Sequence, residues 1–194
     1  MICFKFFRPY RVAGSLALGM RDDPVYRYYF GDSNLGFVSM MSFFIDEVRY
    51  RQKHGSILLS PQCVALVGIP PRCEMPADAI SVHTRLLIRA LGRRVARHWE
   101  SVGALADAAP TGESDYLSVI CTKHSFRGCG HGSRMMATLK QRSHAIYLET
   151  GSARNVEWYV NLGFMVTSAQ ELPDGPMLWT MQWQPPARPG EPAD

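Results

Sequence analysis

Residues 116–134 read Tyr116-Leu117-Ser118-Val119-Ile120-Cys121-Thr122-Lys123-His124-Ser125-Phe126-Arg127-Gly128-Cys129-Gly130-His131-Gly132-Ser133-Arg134. The first six residues are rich in aromatic and β-branched side chains, the composition of a strand. Three alternating glycines follow. Beyond them, Gly132, Met135, Met136 and Leu139 recur at i, i+3, i+4 and i+7, one apolar face of a helix ending near Lys140. Strand, glycine loop and helix in that order suit an anion. Glycine accepts positive φ and brings no side chain between the backbone and a ligand. The first helical turn has amides without internal partners and a partial positive charge. Phosphate groups fit such a turn.

The spacing separates the devices that use this arrangement. No Gly-Lys-Ser/Thr occurs, so the loop is not a P-loop, and Gly128-x-Gly130-x-Gly132 is not the GxGxxG of a dinucleotide fold. Arg127-x-x-Gly130-x-Gly132 does resemble the [Q/R]-x-x-G-x-[G/A] signature of the GNAT superfamily of N-acyltransferases. Residues 146–164, IYLETGSARNVEWYVNLGF, strengthen the resemblance. They read as a strand, a short helix over 155–161 and a left-handed glycine cap at Gly163. Asn155, Tyr159 and Leu162-Gly163-Phe164 stand where the superfamily has similar residues. The likeness is specific over about the last third of the chain.

The resemblance implies an α/β (α+β) fold: a mixed, mostly antiparallel, seven-stranded sheet with helices on both faces. In it strand 116–122 splays from strand 145–149. It also implies acetyl-CoA as cosubstrate and direct acetyl transfer to a primary amine in a ternary complex. The pantetheine arm would pair with Ile120, Cys121 and Thr122. The pyrophosphate would rest on Arg127, Gly128, Cys129, Gly130, His131, Gly132 and Ser133, with Asn155 hydrogen-bonding the arm or orienting nearby backbone. Tyr159 would act as general acid toward the departing thiolate, whose pKa is about 8.5. Glu113 and Asp115, just before the central strand, are candidate bases; Glu149 and an ordered water are the alternatives. Asp22-Asp23-Pro24 followed by aromatics resembles a segment beside the acceptor pocket, so Asp23, Tyr26 and Phe30 are candidate substrate contacts. The aromatics favour a small amine. An acyl-CoA-sensing module without turnover and a protein N-acetyltransferase are the competing readings.

The rest of the chain agrees with one domain over 1–184, followed by a Pro-rich tail over 185–194 expected to be disordered. Of the 194 residues 46% are hydrophobic, enough for a full core. The net charge of +4 suits an anionic cosubstrate, and no basic stripe interleaved with aromatics points to nucleic acid. Residues 2–7 read as a first strand. Residues 12–20 form an apolar run too short to span a membrane, which favours a short helix over a signal peptide. Helices are expected over 35–52, with a stripe of Phe37, Met40, Met41, Phe44 and Val48, and over 79–105, with Leu87 and Leu91 inward. Strands are expected over 55–59, 63–69, 164–169 and 177–183. The five cysteines are odd in number and lack a C-x-x-C pair, so free thiols and a cytoplasmic location are expected. Cys121, His124, Cys129 and His131 have zinc-ligand chemistry but not a common zinc spacing, and no metal is expected. A homodimer is left open.

Overall fold

The computed structural model describes residues 9–71, 73–92 and 114–186. Its elements are α1 (Pro9–Met20), α2 (Pro24–Phe30), α3 (Asn34–His54), β1 (Gly55–Leu59), β2 (Cys63–Gly68), α4 (Val82–Ala90), β3 (Asp115–Thr122), α5 (His131–Lys140), β4 (Ile146–Thr150), α6 (Ala153–Asn161), β5 (Met165–Glu171) and β6 (Met177–Trp183). Helix starts follow from capping side chains. Asp23 Oδ1 accepts from the amides of Val25 and Tyr26 ahead of a Pro at the first position of α2. Ser33, Ser81 and Ser152 cap α3, α4 and α6 in the same way. Gly163, at φ 80°, ends α6, and the Phe164 amide closes back on the Tyr159 carbonyl.

The described strands form one sheet in the order β1-β2-β3-β4-β6-β5. Every neighbouring pair is antiparallel except β3 and β4, which are parallel. β2 is buried at all of its positions, as a strand covered on both faces must be. On one face α1 and α3 pack against Val64, Leu66, Val119 and Cys121, with Phe44 and Leu16 at the centre. On the other face Met135, Met136 and Leu139 of α5 and Tyr159 of α6 pack against Ala65, Val67, Leu117 and Leu148. The expected class is therefore observed, with six described strands. The expected strand over 2–7 lies outside the described residues, as do residues 93–113 and 187–194.

One feature of the sheet positions everything that follows. β3 and β4 pair over only three rungs, Asp115–Ile146, Tyr116–Tyr147 and Leu117–Leu148. β3 then continues to Thr122 beside β2 alone. Opposite β2 the register jumps from Leu66–Val119 to Val67–Leu117, so Ser118 is a bulge. A bulge bends its strand and increases the local twist. The splay expected between these two strands is thus present, beginning at Ser118.

The expected long helix over 79–105 starts later, at Val82 after a 3₁₀ turn over Ala77–Ala79, and its first segment ends at Ala90. Its most buried residues are Thr84 and Ile88. The Thr84 hydroxyl donates to Asp46 Oδ2 at 2.6 Å and pairs with the Ser42 hydroxyl at 2.8 Å. This buried polar pin sets the rotation of α4, and a hydrophobic stripe alone does not reveal it. Phe44 is fully buried between α3 and the sheet. Phe44→Ala is expected to lower unfolding free energy by about 3–5 kcal/mol in urea denaturation; a loss below about 1 kcal/mol would show that α3 is not a core element.

Candidate active site

Where β3 leaves β4, a cavity of about 600 Å³ opens. The β3 segment Leu117–Ile120 forms one wall and the β4 end, Glu149–Gly151, another. Asn155 and Tyr159 enter from α6, Asp23, Tyr26 and Tyr29 from α2 and its cap, and Phe43, Glu47 and Arg51 from α3. Six separated stretches of sequence thus supply the lining.

Tyr159 is held between the rings of Trp158 and Phe164, at centroid distances of 4.7 and 5.3 Å. Burial, reinforced by the negative charge of Asp23, pushes its phenol well above the ordinary tyrosine range. It therefore stays protonated at neutral pH, as a proton donor must. Asn155 Nδ2 donates to Thr150 Oγ1 at 3.4 Å, which ties α6 to the end of β4. Burial also raises the pKa of Asp23, against the lowering effect of its two capping amides. Glu149 is raised by burial as well, partly offset by the Tyr147 hydroxyl that donates to its Oε1 at 2.8 Å.

Glu47 and Arg51 form a buried ion pair in the same cavity, at 2% and 1% exposure. Arg51 donates through Nε and Nη2 to Glu47 Oε1, both at 2.7 Å, and through Nη1 to the Cys73 carbonyl. The bulged Ser118 donates to the same Glu47 oxygen at 2.8 Å. The pair therefore fastens α3 to the bulge in β3. Removing one partner of such a pair leaves an uncompensated buried charge.

The glycine loop follows β3. Gly128 and Gly130 have φ of 77° and 76°, values that side-chain-bearing residues rarely adopt. Gly130 caps α5 with no side-chain hydrogen bond at that end. A Cβ on Gly132 would lie 3.2 Å from the Trp158 ring. That ring also donates through Nε1 to Ser133 Oγ at 3.3 Å, so α6 buttresses the loop. Arg127 reaches back to the carbonyls of Thr122 and Gly19, at 3.4 and 2.9 Å, tying the loop to α1. Arg134 donates to the Cys129 carbonyl at 3.3 Å and meets His131 Nδ1 at 2.9 Å.

Of the candidates read from sequence, Tyr159, Asn155, Asp23, Tyr26, Ile120 and Glu149 come together in the cavity. Four do not. Phe30 is 2% exposed and stacks behind Tyr26 toward Phe43, because α2 turns Tyr26 and Tyr29 to the cavity instead. Asp115 sits on the first closed rung of the β3–β4 ladder and accepts a hydrogen bond from Ser143, away from the opening. Glu113 lies outside the described residues. Cys121 points to the other face of the sheet, with Sγ 3.9 Å from the Ser15 carbonyl, and burial pushes its thiol up to about 11. Among the described residues no group of three or more His, Cys, Asp or Glu is placed to hold a metal.

Sequence reading missed Glu47, Arg51, Ser118 and Tyr29. A signal for the first two existed. Met40, Phe44, Glu47, Val48 and Arg51 continue one helical stripe, so a charged i,i+4 pair extends an apolar face.

No family model matches the chain. Solved structures do. A Corynebacterium glutamicum protein described as histone acetyltransferase HPA2 and related acetyltransferase is similar at a TM-score of 0.61 and 21% identity, over 93% of this chain and 92% of that one. The Drosophila melanogaster polyamine N-acetyltransferase is similar at 0.57 and 12%, over 90% and 96% of the two chains. A mosquito arylalkylamine N-acetyltransferase, like 5b, is similar at 0.55 and 13%, over 89% and 95%. Sheet order, splayed strands, glycine loop and these likenesses agree: the chain has the fold of the GNAT acetyltransferases.

Proposed function

We propose that the chain is an acetyl-CoA-dependent N-acetyltransferase acting on a small primary amine. The observation that carries this reading is the parting of β3 from β4 at Ser118, on the strand that leads into the glycine loop. The main chain of Ile120, Cys121 and Thr122 has β2 on one side and, among the described residues, no strand on the other. An extended pantetheine arm would pair there as an added strand does. The amides of residues 127–133 would hold the pyrophosphate, in a loop that two left-handed glycines shape and that Gly132 keeps narrow. A cavity of about 600 Å³ matches a small-molecule acceptor. The named activities of the fly and mosquito structures, on a polyamine and on arylalkylamines, lend support to a small amine. The four described cysteines are free thiols, which suits a reducing cytoplasm.

The reaction follows from the lining. The acceptor ammonium gives a proton to a carboxylate, and its nitrogen attacks the thioester carbonyl. The C–S bond breaks as the amide forms, Tyr159 protonates the departing thiolate, and the second nitrogen proton, lost as the adduct collapses, restores the Tyr159 phenol. Asp23 suits the role of base. It lines the cavity, its charge is felt at Tyr159, and its raised pKa brings it nearer working pH. Holding amine and thioester in one cavity supplies much of the remaining rate.

Three outcomes test the reading. Acetyl-CoA should raise the melting temperature, and CoA or an acylated form should appear in native mass spectra; a protein indifferent to acetyl-CoA in both would end the proposal. Tyr159→Phe should lower kcat about 10²–10⁴-fold while leaving acetyl-CoA affinity near that of the unchanged protein. An unaltered kcat would remove Tyr159 from the mechanism. The third outcome concerns stability. A carboxyl whose pKa is raised by folding binds its proton more tightly in the folded state, so stability falls as pH rises through that pKa. Glu149→Gln should therefore raise the melting temperature at pH 7, and the gain should vanish toward pH ~4, where an unfolded Glu is protonated. A lower melting temperature for Glu149→Gln at pH 7 would show that the charge is compensated.

A further inference from the structure

The cavity holds more negative charge than one reacting amine can answer. Glu47 is compensated by Arg51. Asp23, Glu74 and Glu149 line the same cavity, and among the described residues no cation pairs with Asp23 or Glu149. Their partners are neutral donors: two backbone amides for Asp23 and the Tyr147 hydroxyl for Glu149. Buried carboxylates are costly without a counter-charge.

The chemistry makes the imbalance worse. The attacking nitrogen must be neutral, so a monoamine loses its charge before the bond forms. Both carboxylates would then face a neutral ligand, one of them carrying the transferred proton. A second positive group that survives the reaction keeps Glu149 compensated throughout. We propose that the acceptor is a dication: a short alkyl chain with an attacking amino group at Asp23 and Tyr159, and a second amino or guanidino group at Glu149. This rests on reading the cavity as the acceptor site.

Three further features fit that ligand. Tyr147 occupies only Oε1 of Glu149, so Oε2 remains for a ligand. Tyr26, Tyr29, Phe43 and Tyr116 line the same cavity as the two carboxylates. These rings cover a methylene chain and attract a cation through their faces. The chain segments that carry the two carboxylates are in contact. Gly151, two residues after Glu149, is packed so closely on Val25, two residues after Asp23, that a Cβ there would overlap the valine side chain. A short spacer therefore suffices.

The test is calorimetric titration of the CoA-saturated protein, which cannot turn over, with 1,4-diaminobutane, 1-aminobutane and 2-phenylethylamine. The diamine should bind at least tenfold more tightly than either monoamine. In Glu149→Gln, with its fold checked by circular dichroism, that preference should shrink below threefold. A diamine series of three to six carbons on the unchanged protein should show one preferred length. Equal or tighter binding of a monoamine, no binding of any amine, or a preference that survives Glu149→Gln would overturn the proposal. Replacing CoA by acetyl-CoA then separates the two readings. A preferred diamine that binds but is never acetylated sinks catalysis and leaves the cavity as a dication-binding site only. Acetylation without diamine preference does the reverse.

Discussion

The structure depends on a main-chain hydrogen-bonding problem left open at Ser118. A strand buried inside a sheet has donors and acceptors on both edges, and nearly all such groups are satisfied in folded proteins. β3 satisfies one edge with β2 up to Thr122 but the other only as far as Leu117. Beyond that point the second edge looks into a cavity. The ladder is prevented from closing by particular groups. The bulge redirects β3, Ser118 is fastened to the Glu47–Arg51 pair on α3, and the Asn155–Thr150 bond holds α6 over the end of β4. An edge held open in this way is a template for an extended ligand.

The same elements link the two halves of the site. α6 presents Tyr159 to the cavity and Trp158 to the glycine loop, one residue apart. Arg127 joins the loop to α1, while Met20 at the end of α1 lines the cavity. The glycine loop and the cavity wall are therefore joined around the parted strands. The buried charges in it are placed against stability. Asp23 and Glu149 both have their charged forms disfavoured by burial, and a protein selected only for folding would have little reason to keep them. Their presence in one cavity argues for function there.

How much of this could be read from the sequence follows from how each part is built. The glycine loop is local. Its conformation is set by residues next to one another, so Gly128, Gly130 and Gly132 announce it, and the helix that follows announces itself by period. Tyr159 and Asn155 lie in a short block whose strand, helix and cap are each marked. The cavity is different. Its walls come from α2, α3, β3, β4 and the segment after β2, and no spacing in the chain encodes how they meet. Phe30 and Tyr26 carry equal weight in a string of aromatics, and only the rotation of α2 separates them. Asp115 looked like a candidate base because it precedes the central strand. The strands part three residues later, which leaves it on the closed side.

The Glu47–Arg51 pair shows where the sequence held more than hydrophobic pattern alone reveals. A charged i,i+4 pair in line with Met40, Phe44 and Val48 can be exposed only if the stripe rotates outward, and the stripe is buried. The pair must then be buried too, and two buried charges need both each other and further donors. Ser118 and the Cys73 carbonyl complete those bonds, from a strand and a loop far along the chain. The pair thus fixes which residue of β3 faces α3, and so where the bulge falls and the ladder ends. A local irregularity in one helix thereby specifies a tertiary feature, the point at which the sheet opens.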